Sequence, residues 1–283
     1  MAGTPAPGRR LRRQVRSERP AEAGLFFLPR LVRMTEIRDL TTLQDADAAL
    51  GVAVATWGDH QNPPRELLRA FQASGNLLQG AFRDGQMVGF SLGFFGRDDD
   101  GSFHLHSHMV AVLPELRAEG IGFELKMEQR SACLAAGVLR IRWTFDPLIS
   151  RNAYFNLSKL GAVADRFDTE FYGSMEDDLN SGDRSDRLWA RWDLDRAVPE
   201  PSAVEGAAVV LDRGDQERPV EGEAPRGSAL VRIPREYASL RERDPELAME
   251  WRAATARALV ACFGAGLIAT RFLSDSTYVF EEE

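Results

Sequence analysis

The stretch 106–137, HSHMVAVLPELRAEGIGFELKMEQRSACLAAG, constrains the fold more than any other part of the chain. Residues 109–113 have strand character and Pro114 ends the run. Arg117, Gly120 and Gly122 fall in the turn that follows, and a helical pattern continues to Gly137. The next apolar run, 138–145, is then a strand reached by a helical crossover, so it should pair in parallel with the strand before the turn. A strand, a glycine turn and a helix start also make an anion site. The first N–H groups of a helix lack partners, and its dipole favours negative charge there. Gly120 and Gly122 let the backbone approach a ligand with no Cβ in the way. The spacing is neither the lysine-containing triphosphate loop nor the GxGxxG dinucleotide fingerprint. Taken alone, it also fits an ordinary strand-to-helix connection.

A chain of 283 residues, 44% hydrophobic, can bury a sizeable core in one large or two modest domains. No apolar run approaches the ~20 residues of a membrane span, so no membrane partner is expected. Cys133 and Cys262 lie in apolar helical patterns. They read as small buried hydrophobes rather than a disulfide or metal pair, which points to a cytoplasmic setting. The net charge of −8 is uneven: residues 1–33 hold eight arginines and two glutamates, leaving −14 on the rest. An acidic body argues against a nucleic-acid partner.

Residues 1–33 read as a disordered tail, an Arg-rich transit peptide, or an upstream start with Met34 as the true first residue; the tail and wrong-start readings are preferred. From Met34 the pattern is globular: a strand at 36–40, a helix with Leu43, Ala46, Leu50 and Val54 on one face, and a second helix capped by Asn62 and Pro63. Strands at 77–82 and 87–95 flank the hairpin turn Arg83-Asp84-Gly85, and a third strand, 103–113, enters the opening stretch. After the crossover come a helix at 150–160 closed by Gly161, an extended segment at 162–172 and a strand at 188–194. Residues 196–228 read as a loop or linker. Residues 229–283 form a strand–helix–hairpin extension, in which Leu247, Trp251, Ala254, Ala258 and Cys262 make one helical stripe. That unit is too small to stand alone, so it should pack on the main sheet or supply a homodimer contact.

Arg117-Ala118-Glu119-Gly120-Ile121-Gly122 fits R/Q-x-x-G-x-G/A, and 150–162, SRNAYFNLSKLGA, follows on the expected helix and strand. Together with the element order of residues 35–175, these segments resemble the GNAT N-acyltransferases. The segments SHMVAV, LKMEQR, DPLISRNAYFNLSKLGA and SDRL are similar to a subfamily of predicted acyltransferases, some of them associated with N-acylation, including N-succinylation, of amino acids. The resemblance implies an α/β fold of mixed α+β type: a central twisted mixed sheet flanked by helices over 34–195, with 229–283 as a C-terminal extension. It implies acetyl-CoA or another acyl-CoA as cosubstrate, no metal, and a small-molecule amine as acceptor. It assigns Val110, Ala111 and Val112 to the pantetheine arm through their backbone. Arg117, Ala118, Glu119, Gly120, Ile121 and Gly122 go to the pyrophosphate.

The remaining chemistry is less fixed by pattern. His106 and His108 are two apart on one strand, where either could accept the ammonium proton; each could equally be a hydrogen-bonded sheet histidine. Glu115 is a third candidate base, set against its reading as a solvated turn residue. A metal site is disfavoured, since no third ligand is spaced to join the histidines. The family's tyrosine that returns a proton to the thiolate corresponds to Leu157, a departure that leaves the general acid open. Arg151 and Arg187, with Arg184, are candidates for an acceptor carboxylate, and Asn152 for the cofactor or acceptor. In an arginine-rich chain surface ion pairs are the plainer reading of those arginines. Three functions follow: acyl transfer to a small amine such as an amino acid, acyl-CoA sensing without turnover, and peptide acetylation. The last is disfavoured because no peptide groove is evident.

Overall fold

The computed structural model describes residues 1, 3, 34–59, 62–98, 100–173, 183–196 and 204–283. The expectations for the 1–33 tail, apart from those two positions, and for residues 197–203 of the linker lie outside the described residues, as does His60. In chain order the elements are β1 (Glu36–Asp39), α1 (Leu43–Trp57), α2 (Arg65–Ala73), β2 (Leu77–Arg83), β3 (Gln86–Arg97), β4 (Phe103–Val112), α3 (Ile121–Ala135), β5 (Arg140–Phe145), α4 (Ser150–Ala153), β6 (Val163–Asp168) and β7 (Arg187–Asp193). There follow β8 (Ala208–Arg213), β9 (Pro219–Glu221), β10 (Ala229–Arg232), α5 (Tyr237–Arg243), α6 (Pro245–Gly264), β11 (Ile268–Leu273) and β12 (Thr277–Glu281). A 3-10 turn, Pro114–Leu116, follows β4, and a π-helical turn, Tyr154–Lys159, continues α4.

The described strands make one mixed sheet in the order β1-β2-β3-β4-β5-β7-β6-β11-β12-β10-β8-β9. β4 and β5 pair in parallel, as the crossover requires. Asp84 and Gly85 both have positive φ (51° and 76°), the backbone of a two-residue hairpin whose twist matches its strands. The helices lie on opposite faces. α1 and α2 cover Leu78, Phe90, Leu92 and Ala111, while α3 sets Ile121 and Leu125 against Ala81 and Val88. Gly89 makes room for this packing, because a Cβ there would sit 2.8 Å from the Ala111 carbonyl oxygen. The α6 stripe, Leu247, Trp251, Ala254, Ala258 and Cys262, is buried in the same cluster as Leu105 and Ile141. The extension therefore shares a core with the N-terminal strands, and Ala269 of β11 pairs with Ala164 of β6.

Three expectations need correction, and α3 adds a further finding. The 196–228 segment is not only loop: β8 pairs in parallel with β10 and antiparallel with β9. Its short apolar run gains burial from a strand some twenty residues on, a long-range contact that the flanking Pro, Glu and Gly conceal. In α1 the buried face is Ala46, Ala49, Val52 and Ala53, leaving Leu43 and Val54 exposed, since small side chains let the helix sit close on β3. α2 begins only at Arg65: Pro63 precedes another proline and is pushed out of helical backbone, and Asn62 Nδ2 donates to the Gly58 carbonyl instead. In α3 one face alone is buried; Phe123 and Leu134 are exposed because the sheet covers only the other side.

Candidate active site

The centre of the site is the point where β4 and β5 part. Their register contains two pairs, Leu105 with Ile141 and His106 with Arg142. Beyond His106, no described strand pairs with the β5-facing edge of β4. On its other edge β4 stays bonded to β3, with a one-residue irregularity: Leu92 faces Met109, Gly93 faces Ser107, and His108 is the extra residue. A bulge bends and twists its strand and re-aims side chains, and here it coincides with the parting. The result is a wedge with unpaired backbone donors and acceptors, able to pair with an extended ligand carrying amides.

At the far end of the exposed edge lies the glycine turn. Ala118 and Gly120 both adopt left-handed backbone (φ 76° and 89°), and Gly120 is the N-cap of α3. The N–H groups of Gly120, Ile121 and Gly122 open the helix, with no preceding turn to accept from them. Arg117 is exposed, and its guanidinium donates to the Thr56 carbonyl (3.4 Å) but has no carboxylate partner among the described residues. Glu119 differs. Its N–H donates to the Leu116 carbonyl (3.2 Å) and its carboxylate is held by Arg83. Neither group is left for an anion. Glu115 is exposed on the 3-10 turn at this same end of the wedge, seven residues beyond His108 and separated from it by the rest of β4.

His106 and His108 do share a face, with ring centroids 6.0 Å apart, and both lie against Phe94. His106 is buried, and desolvation followed by its histidine and lysine neighbours pushes its pKa down to about 4. It is therefore neutral at pH 7 and a weak proton acceptor. His108 is exposed, with its pKa also lowered by desolvation. His104 instead sits 3.1 Å from Asp98 and belongs to a charged network with Arg140 and Arg142.

Beneath the wedge, on the α3 side, lies a cluster that sequence reasoning missed. Lys126 is 3% exposed. Its Nζ donates to Ser107 Oγ (2.7 Å) and sits 3.7 Å from the Trp143 ring centroid. Ser107 in turn donates to Gln129 Oε1 (2.8 Å), and Gln129 Nε2 has no described partner. No described carboxylate pairs with Lys126, and burial drives its pKa down to about 7. Its rarity was a signal in the sequence: the chain has two lysines, Lys126 and Lys159.

On the opposite face, the described ends of the connection between β6 and β7 touch β5 and β7. Tyr172 Oη lies 3.2 Å from Thr144 Oγ1, and Phe171 packs edge-on against Trp189. Ser185 ties the connection's two ends, accepting from the Tyr172 N–H (3.0 Å) and donating to the Gly173 carbonyl (2.7 Å). Arg252 of α6 anchors the whole assembly. It donates twice to Asp146 at the end of β5 (2.8 Å each) and to Asp183 in the connection (3.0 Å). Tyr237 also donates to Asp183 (2.7 Å).

The other expected residues are dispersed. Arg187 is buried, donates to the Asp186 carbonyl (2.9 Å) and lies over the Tyr172 ring, so it is engaged rather than open to a carboxylate. Arg151 and Asn152 are exposed at the start of α4. Leu157 is buried in the core. Burial raises the pKa of Cys133 to about 11 and of Cys262 to about 12, which keeps both thiols protonated. Among the described residues no group of three or more His, Cys, Asp or Glu could hold a metal ion, and no helix is long and apolar enough to cross a membrane.

Residues 38–154 match the model of the acetyltransferase (GNAT) family. No curated protein matches the chain. Among solved structures, it is similar to the ribosomal-protein-S18-alanine N-acetyltransferase of Escherichia coli, at 17% identity over 60% of this chain and 100% of that one, with a TM-score of 0.46. It is also similar to Naa20 of Chaetomium thermophilum, crystallised with a bisubstrate analogue, at 17% identity over 59% of this chain and 93% of that one, TM-score 0.47.

Proposed function

Because residues 38–154 match the model of the acetyltransferase (GNAT) family, we propose that the chain moves an acetyl or other short acyl group from coenzyme A to the amine of a small molecule, with amino acids among the candidate acceptors. The observation that carries this reading is the parting of β4 from β5 after His106, with the glycine turn at its open end. The backbone edge at Val110, Ala111 and Val112 would take the amides of the pantetheine arm. Arg117 and the N–H groups of Ala118, Gly120, Ile121 and Gly122 would take the pyrophosphate, with Glu119 left out. The thioester supplies an acyl group that is already activated. The chain must hold it, present the amine neutral, polarise the carbonyl and return a proton to the thiolate.

His108 is the better base of the two histidines, being open to solvent where His106 is buried and neutral. His108→Ala is expected to lower kcat about 100-fold and to remove the acidic limb of the pH–rate profile. In the intact protein that limb should lie below pH 6.5, because the base must be unprotonated and its pKa is lowered. An unchanged rate and profile in the variant would discard His108. The Tyr172 hydroxyl beside Thr144 is a candidate for the proton returned to sulfur.

Gly120→Trp tests the turn. A side chain there points into open space, yet φ of 89° strains any L residue, so bulk and strain act together. Calorimetry should show CoA bound at least tenfold more weakly; full affinity would remove the turn from the site. One observation favours a second reading, an acyl-CoA-binding protein without turnover: Leu157, in the core, stands where relatives of this type carry a tyrosine. A screen of amines against acetyl-CoA and succinyl-CoA, read by thiol release, separates the two. Binding with no release across the screen selects the sensor.

A further inference from the structure

We infer that the acceptor amine is carried on an aromatic ring or a similarly flat apolar body, recognised by a floor of rings on the α1/α2 face of the sheet. The inference rests on the acyl-transfer reading for its chemistry, but its geometry stands alone. From α2 to the β6–β7 connection the rings are continuous. Phe71 stacks on Phe94 (5.7 Å between centroids), Phe94 on His106 (5.0 Å), His106 meets Trp189 (5.7 Å), and Trp189 meets Phe171 (5.4 Å). His106 is the last residue of β4 paired to β5, so this floor passes over the point where the strands part. Phe171 is 36% exposed, and Phe94 and Trp189 are half-buried. A row of rings that is buried at His106 but partly exposed at Phe94, Trp189 and Phe171, bordering a wedge, is a surface made to be covered.

The charges of this face argue the same way. Arg140, Arg142 and Arg191 are each held by carboxylates, Asp98, Asp165 and Asp193 among them. Trp189 Nε1 donates to Asp168 (2.7 Å), which fixes the indole and occupies that carboxylate. Selection on this floor then falls to the rings. They offer offset and edge contacts to a flat acceptor, while Arg166, paired with Asp168, already lies over the Trp189 ring (5.1 Å). Neutral His106 adds no repulsion.

The test is equilibrium binding of 2-phenylethylamine, n-butylamine and ethanolamine to the full chain by calorimetry, with and without saturating CoA. Rates with acetyl-CoA are read in parallel by thiol release. The aromatic amine should bind at least tenfold more tightly than n-butylamine, and Phe171→Ala should remove most of that advantage. Phe171 lies at the surface, and an unchanged thermal midpoint will show that the variant folds. Equal affinities for the three amines overturn the inference, as does an advantage that survives Phe171→Ala intact. Ring preference without CoA binding would sink the acyl-transfer reading and leave the ring floor standing. CoA binding without ring preference would do the reverse.

Discussion

Replacing Arg252 with alanine is expected to destabilise the protein by about 3–5 kcal/mol, the cost of leaving two largely buried carboxylates without their cation. The guanidinium is almost wholly buried, makes a bidentate pair with Asp146 and reaches Asp183, which Tyr237 also contacts. Urea denaturation at pH 7 measures the loss directly. The pH dependence gives a second check. Burial alone would raise the pKa of Asp183, but the bonds from Arg252 outweigh it and the net shift is downward. A carboxyl with a depressed folded pKa contributes stability that is full above its unfolded value, near 3.8, and is lost as pH falls through the folded value. Acid unfolding of the intact protein should therefore lie below about pH 4, and the variant should unfold at higher pH. A loss under 1 kcal/mol would show that the network is not buried in solution.

Lys126 should act in the opposite direction. Its folded pKa, about 7, lies below the ordinary lysine value of 10.5, so the unfolded chain holds the extra proton between those values. Stability then rises with pH across that window, and the full cost of burying the charge is present below pH 7. At 1.36 kcal/mol per unit, the span is at most about 5 kcal/mol. Lys126→Met, which keeps the length of the chain and removes the charge, should flatten the rise between pH 7 and 10 and stabilise the protein at pH 6. Part of the gain will be lost because Ser107 and Gln129 lose a neighbour. Urea midpoints at pH 6, 7, 8 and 9 for both proteins decide it; parallel curves would show that Lys126 is not buried unpaired.

These two residues also show where reading the chain stops. The Asp84–Gly85 hairpin, the α6 stripe and the glycine turn were legible because each is a local rule: a backbone angle, a helical period, a helix start. Arg252 is 106 positions from Asp146 and 69 from Asp183, and no local pattern joins them. Lys126 sits in a helix beside exposed Phe123, and a lysine in an amphipathic helix reads as solvated. The histidines were visible on one strand, but the extra residue at His108 is defined only against β3. Glu119 matched the turn by spacing, and only the structure shows its carboxylate held by Arg83. β8 and β9 were missed because a short strand between Pro, Glu and Gly is recognised by its neighbours.

The burial of Lys126 has a chemical corollary for any protein that handles reactive thioesters. Such esters acylate lysine amines without catalysis, at a rate set by how much neutral amine is open to them. Burial lowers the pKa of Lys126 but also shuts the amine away behind Trp143, and Lys159 is the chain's one other lysine, exposed at the end of the π-helical turn. The protein therefore presents one exposed lysine to the reagent it is proposed to carry.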